Sequence, residues 1–109
     1  MTDGSIERGA DGVLRLAGVL DYRSGPALRE AGRVLVGDAR DALTLDCSAV
    51  EKSSSVGLSL LLAFMRDARA AGIALRISGL PEDMQKIAGV SGLLDILPLG
   101  GASLEGAAE

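Results

Sequence analysis

The 109-residue sequence has no histidine and no tryptophan. Without histidine, the commonest general base and the commonest metal ligand are both missing. Neither a Ser-His-Asp nor a Cys-His catalytic set can be assembled. A single cysteine, Cys47, excludes an internal disulfide and a multi-cysteine zinc site, and it fits a reducing compartment. Aromatic residues are almost absent, with only Tyr22 and Phe64, so no surface exists on which successive bases would stack. Basic residues are outnumbered, 11 against 15 acidic, which argues against a nucleic-acid binder. No basic region followed by an apolar one opens the chain, so no signal peptide is expected. The longest apolar run, Leu60–Met65, falls far short of the roughly 20 residues a membrane helix needs. The glycine-rich segments Gly89–Gly92 and Gly100–Gly101 do not match a nucleotide-binding fingerprint. These absences point to a cytoplasmic protein that is not an enzyme and uses no cofactor or metal.

What is present is aliphatic and periodic. Nearly half the residues are hydrophobic, enough for one domain of this length to bury a core of Leu, Val, Ile, Ala and Met. Residues 1–5 read as a loose N-terminus, 6–98 as a single domain and 99–109 as a disordered tail. Ile6–Arg8 and Val13–Leu16 form a hairpin about the Asp11-Gly12 turn signal, and Gly18–Asp21 leads out of the sheet. Ser24 is a candidate N-cap ahead of Pro26. Leu28, Ala31 and Leu35 then recur at helical spacing until Gly37, read as the stop.

Leu43, Leu45 and Cys47 alternate with polar residues as a strand, a polar serine stretch follows, and a helix is expected from Ser55 to Ala71. Gly72 ends it, and Ile73, Leu75 and Ile77 alternate again. Strand, helix and strand make a βαβ unit with parallel strands and a right-handed crossover. Pro81 opens a further helix with Glu82 and Asp83 in its first turn and Met84, Ile87 and Ala88 on one face. Gly89 is expected to break it, and Leu93–Leu97 closes the domain before Pro98. The fold class is α/β, a small mixed sheet with helices packed against it.

The Ser55–Ala71 helix holds the candidate working surface. Leu58, Leu61, Leu62 and Met65 follow the i, i+3, i+4, i+7 rule and should face the sheet. Leu60 and Phe64 fall on another side, one turn apart. Either a neighbouring helix covers them or they form an apolar patch for a partner. Ser54 and Ser55 stand where the helix needs an N-cap, which is the reading physics favours. A phosphate here would meet unpaired amides and the positive end of the helix dipole, which is the alternative.

Three stretches resemble the STAS domain, the fold of bacterial anti-sigma factor antagonists and of the cytoplasmic tails of sulfate transporters. Leu45-Asp46-Cys47-Ser48-Ala49-Val50 and Ser54-Ser55-Val56-Gly57-Leu58 are similar to the family's Asp-X-Ser-X-Val followed by Asp-Ser-X-Gly-Leu. Gly18-Val19-Leu20-Asp21 is similar to its Gly-X-Leu-Asp, and Val90–Pro98 to its tail. The run Gly57-Leu58-Ser59-Leu60-Leu61-Leu62 most resembles the free-standing STAS subunits of phospholipid ABC transporters. That resemblance implies a subunit peripheral to the inner membrane. It would bind the transporter's ATPase in a complex with a membrane permease, and the system would maintain outer-membrane lipid asymmetry. It implies partner contacts at Ser54, Ser55, Val56, Leu60 and Phe64. The wider family implies the alternative, an antagonist of a serine-kinase anti-sigma factor, phosphorylated at Ser55. Ser54 replaces the acidic residue that the family places before the phosphorylatable hydroxyl, which weakens that alternative. Val56 also replaces a small residue.

Overall fold

Short alternating runs joined by one long apolar helix give a computed structural model whose described residues are 2–90 and 92. In chain order the elements are β1 (Ser5–Arg8), β2 (Leu14–Leu20), α1 (Gly25–Gly37), β3 (Ala42–Ser53), α2 (Ser55–Ala71), β4 (Ala74–Ser78) and α3 (Glu82–Val90). They form one four-stranded sheet in the order β1-β2-β3-β4. β1 and β2 are antiparallel, and β2–β3 and β3–β4 are parallel. The expected mixed sheet is therefore present, and α1 makes a second βαβ crossover beside the expected one. The Leu93–Pro98 segment and the 99–109 tail lie outside the described residues.

One face of the sheet is apolar. Leu14, Leu16 and Leu20 of β2, Leu43, Leu45, Cys47 and Val50 of β3, and Ile77 of β4 are buried with Leu28, Val36, Leu58, Leu61, Met84 and Ala88 of the helices. The intervening strand residues leave the other face polar: Arg15 and Arg76 are exposed, and Asp46 lies within 4.0 Å of Arg15. Strict alternation produces this division, because successive side chains point to opposite faces.

The structure changes several expected boundaries. The longest change is in β3, which runs to Ser53 rather than ending near Cys47. Ala49, Val50, Lys52 and Ser53 pair with Ala17, Gly18, Val19 and Leu20, so β2 also continues where it was expected to leave the sheet. Two register slips in this pairing break the alternation, which is why the polar Ser48–Ser53 run reads as loop in sequence. Gly18 takes φ +80° at the irregularity, and the backbone of Thr2 and Asp3 approaches it too closely to admit a side chain. Val19 N–H donates to the Thr2 carbonyl at 2.9 Å, and Asp3 bridges to Val19.

In α1, Gly32 rather than Ala31 faces the core, with Leu28 and Val36 one turn to either side. Gly37 is the last helical residue and is not left-handed; Asp38 caps the helix in an ordinary right-handed conformation. Ser24 makes no side-chain cap. Gly89 lies within α3, which continues to Val90. Gly72 does end α2, at φ 71°, with Ile73 N–H bonded to the Ala68 carbonyl at 2.8 Å. This left-handed stop engages the Ala68 and Arg69 carbonyls.

α1 and α2 lie against one another. A Cβ on Gly32 would collide with the Phe64 ring, which is 1% exposed. Gly32→Val is expected to cost about 1–3 kcal/mol by overpacking, and Phe64→Ala about 3–5 kcal/mol, both read from urea unfolding. Gly32→Ala combined with Phe64→Leu should cost less than the two single changes added, since they share one contact.

Burial pushes the Cys47 thiol up from 9.0 to about 12, with the neighbouring Asp46 charge adding to the effect. The folded protein should resist a thiol reagent at pH 8 and label fully in urea. Because the folded state holds this proton more tightly, its stabilising effect is intact below about pH 9 and declines as pH rises towards 12.

Candidate docking edge

Parallel strands that end side by side start their following helices side by side. Leu20 and Ser53 are partners in the β2–β3 register, and the Ser54 N–H donates to the Leu20 carbonyl at 3.0 Å. The N-termini of α1 and α2 therefore share one end of the molecule, the carboxyl end of the parallel strands. They are close together: a Cβ on Gly25 would lie 2.9 Å from Val56 Cγ1.

The two serines divide at this point. Ser54 is extended (φ −87°, ψ −174°), and its Oγ accepts from the Val56 N–H at 3.2 Å. The same hydroxyl donates to the Leu20 carbonyl at 3.4 Å. Ser54 is thus the cap and ties α2 to β2. Ser55 begins the helix, is exposed, and its hydroxyl makes no hydrogen bond among the described residues. Only its carbonyl is engaged, by Ser59 Oγ at 3.4 Å. Val56 is half-buried between the two helix starts.

Leu60 and Phe64 do not belong to this surface. Leu60 is 4% exposed and Phe64 is buried against Gly32, so in the folded chain neither offers an apolar patch. The reason is that α2 is covered on two sides, by the sheet and by α1. Arg29 of α1 holds Asp67 of α2 through two hydrogen bonds, at 2.5 and 3.2 Å, along the same seam. Leu62 and Met65, placed towards the sheet by spacing alone, are only partly buried. The outward face of α2 carries Ser55, Ser59, Arg66 and Arg69 instead.

The β2–α1 loop beside Ser54 contributes residues that periodicity missed. The Asp21 carboxylate accepts from the N–H groups of Arg23 (2.9 Å) and Ser24 (3.3 Å), and these bonds, the Arg23 one first, hold its carboxyl below the usual range. Ser24 Oγ donates to the Val19 carbonyl at 3.0 Å, so this serine fixes the loop rather than the helix. Between them Tyr22 stands 79% exposed. A lone tyrosine in a four-residue connection was the available signal. On the other flank of this loop is an open cleft of about 410 Å³ lined by Thr2, Asp3, Gly4, Val19, Asp21, Arg23, Ser24 and Ala27.

Chemically this edge offers a free hydroxyl on Ser55 and an exposed phenol ring on Tyr22. Among the described residues no group of His, Cys, Asp and Glu is arranged to hold a metal. No helix among them is long and apolar enough to cross a membrane.

An open mixed sheet with its helices on one face makes this an α/β domain. The model of a family described as "Mlab, STAS domain" matches residues 6–98, and the chain belongs to that STAS family. No curated protein sequence matches the chain. Among solved structures it is similar to an anti-sigma factor antagonist from Mycobacterium paratuberculosis, with 26% identity, 95% of this chain and 91% of that one covered, and a TM-score of 0.72. Two further structures agree in fold. The anti-sigma factor antagonist SpoIIAA in its unphosphorylated form matches at 19% identity over 92% of this chain and 90% of that one, with a TM-score of 0.68. The Bacillus cell fate determinant SpoIIAA in its phosphorylated form matches at 21% identity over 92% and 93%, with a TM-score of 0.62.

Ser54→Ala removes the cap and is expected to lower unfolding free energy by about 1 kcal/mol. Ser55→Ala should change it by no more than about 0.5 kcal/mol, as for other exposed positions. Equal losses at both sites in denaturant titrations would overturn the division of roles.

Proposed function

We propose that this STAS domain is a non-catalytic cytoplasmic subunit that binds and stabilises or activates the ATPase of an inner-membrane phospholipid ABC transporter. That transporter would maintain outer-membrane lipid asymmetry. The subunit would sit peripheral to the membrane through a complex containing the permease. The observation that carries this reading is the family match over residues 6–98 to the "Mlab, STAS domain" description. The docking edge supports it. Ser54 meets the fold's need for a cap, which leaves the exposed Ser55 hydroxyl available to a partner. Tyr22, Ser54, Ser55 and Val56 are the residues proposed to meet the ATPase, with Tyr22 as the amphipathic anchor.

A second reading has its own support. The chain is similar to anti-sigma factor antagonists, and Ser55 presents its hydroxyl at the start of a 17-residue helix with no acidic residue in its first turn. A phosphate on Ser55 would meet the positive end of the helix dipole there. Under this reading the partner is a serine-kinase anti-sigma factor.

Affinity purification from native membranes in mild detergent tests both. The transporter reading expects an ATPase and a permease as companions. It also expects Ser55→Ala to weaken ATPase binding by roughly fivefold, the loss of one hydrogen bond. A stable monomer that never binds the ATPase would sink it. Stoichiometric phosphate on Ser55 by mass spectrometry, together with loss of partner binding, would establish the second reading instead.

A further inference from the structure

The outward face of α2 continues the docking edge along the whole helix. Ser55, Ser59, Leu62, Arg66 and Arg69 recur at spacings of four, three, four and three residues, which places them in one narrow stripe. Leu62 is half-buried and the other four are exposed. The chain as a whole is acidic, with a net charge of −4, yet the only charges in this stripe are two arginines. The one carboxylate of α2, Asp67, is turned aside and held by Arg29. Neither Arg66 nor Arg69 enters a salt bridge among the described residues. Arg69 lies in the last turn and complements the helix dipole. Arg66 lies outside that turn, so the dipole does not account for it.

We infer that the partner that meets Ser55 also runs along α2 and presents an acidic protein surface to Arg66 and Arg69, with an apolar side chain over Leu62. This rests on the transporter reading and names the chemistry of the partner's face. Two facts choose that occupant. The stripe is continuous with the Ser55 edge, and its charge is opposite in sign to that of the chain carrying it. Arginine suits the task because its planar fork binds carboxylates bidentately. Such rim charges act chiefly on the association rate and on salt dependence.

The test uses the full chain and the purified ATPase subunit of the lipid transporter from the same organism. Association is followed by surface plasmon resonance at low and high salt. The double variant Arg66→Glu with Arg69→Glu should slow association on the order of tenfold and remove most of the salt dependence. Arg66→Lys with Arg69→Lys should keep the association rate within a fewfold of wild type. The lysine variant should melt like wild type, and the glutamate variant should stay folded with a small loss of stability from the reversed charge at Arg69. Wild-type binding that the glutamate variant leaves unchanged would overturn this inference and spare the transporter reading. Failure of the wild type to bind would overturn both. Vesicles containing anionic lipid are the control surface. If they capture wild type but not the glutamate variant, while ATPase binding is the same for both, the stripe faces a membrane and the inference is overturned.

Discussion

The seam between α1 and α2 governs the rest of the molecule. Phe64, the only phenylalanine in the chain, fills the space that Gly32 leaves empty. The two helices can approach this closely only because one side has no side chain. At one end of the seam Gly25 makes room for Val56, and beyond Phe64 Arg29 reaches Asp67. The ion pair is partly solvated, with side chains 37% and 18% exposed, so its own contribution is modest. Its value is geometric, since a bidentate fork fixes how the helices are turned about one another. With the helices locked side by side, their N-termini open together on the carboxyl end of the sheet. The docking edge is the consequence.

The sheet is committed to one covered face. Its other face sets Glu7 beside Arg15, Arg15 beside Asp46, and Asp46 beside Ser78 across successive strands. Opposite charges on neighbouring strands are compatible pairs, and a row of them keeps that face wet. It also fixes register, because a slip by one residue would turn Arg15 and Asp46 into the core. The irregularities near Cys47 and Gly18 are placed so that Leu20 and Val50 stay buried despite them. The strands thereby reach far enough to deliver Ser53 and Ser54 to the start of α2.

The parts legible in the sequence were those with an unbroken period. Leu43, Leu45 and Cys47, the whole of α2 with its Gly72 stop, and the β3-α2-β4 unit all follow from alternation or helical spacing. The parts that were not legible depend on neighbours distant in sequence. The second half of β3 loses its period at two slips, so only its pairing with β2 identifies it. Leu60 and Phe64 were ambiguous because an amphipathic pattern gives the direction of the sheet but not the presence of α1. Gly32 carries no hydrophobic signal at all, although it decides the packing of the largest core side chain. In the docking edge the Ser54 cap was legible from residue type, whereas the loop that carries Tyr22 is brought to the same end only through the Leu20–Ser53 pairing.

The division between Ser54 and Ser55 explains how one fold can host different roles at the same place. The first amides of a helix need partners, and Ser54 meets that need for Val56 with one hydroxyl while holding the Leu20 carbonyl with the same group. The requirement ends there. Ser55 sits one residue further on, where its side chain points away from every bond the fold needs, so its hydroxyl can serve as a partner contact or a phosphate acceptor without altering the core. An aspartate in place of Ser54 would cap the helix equally well and add a negative charge beside Ser55. The difference between aspartate and serine at the cap is therefore small for folding and large for whatever approaches Ser55. Selection on the partner can change that residue almost independently of selection on stability, and function is accordingly set by the site rather than by the fold.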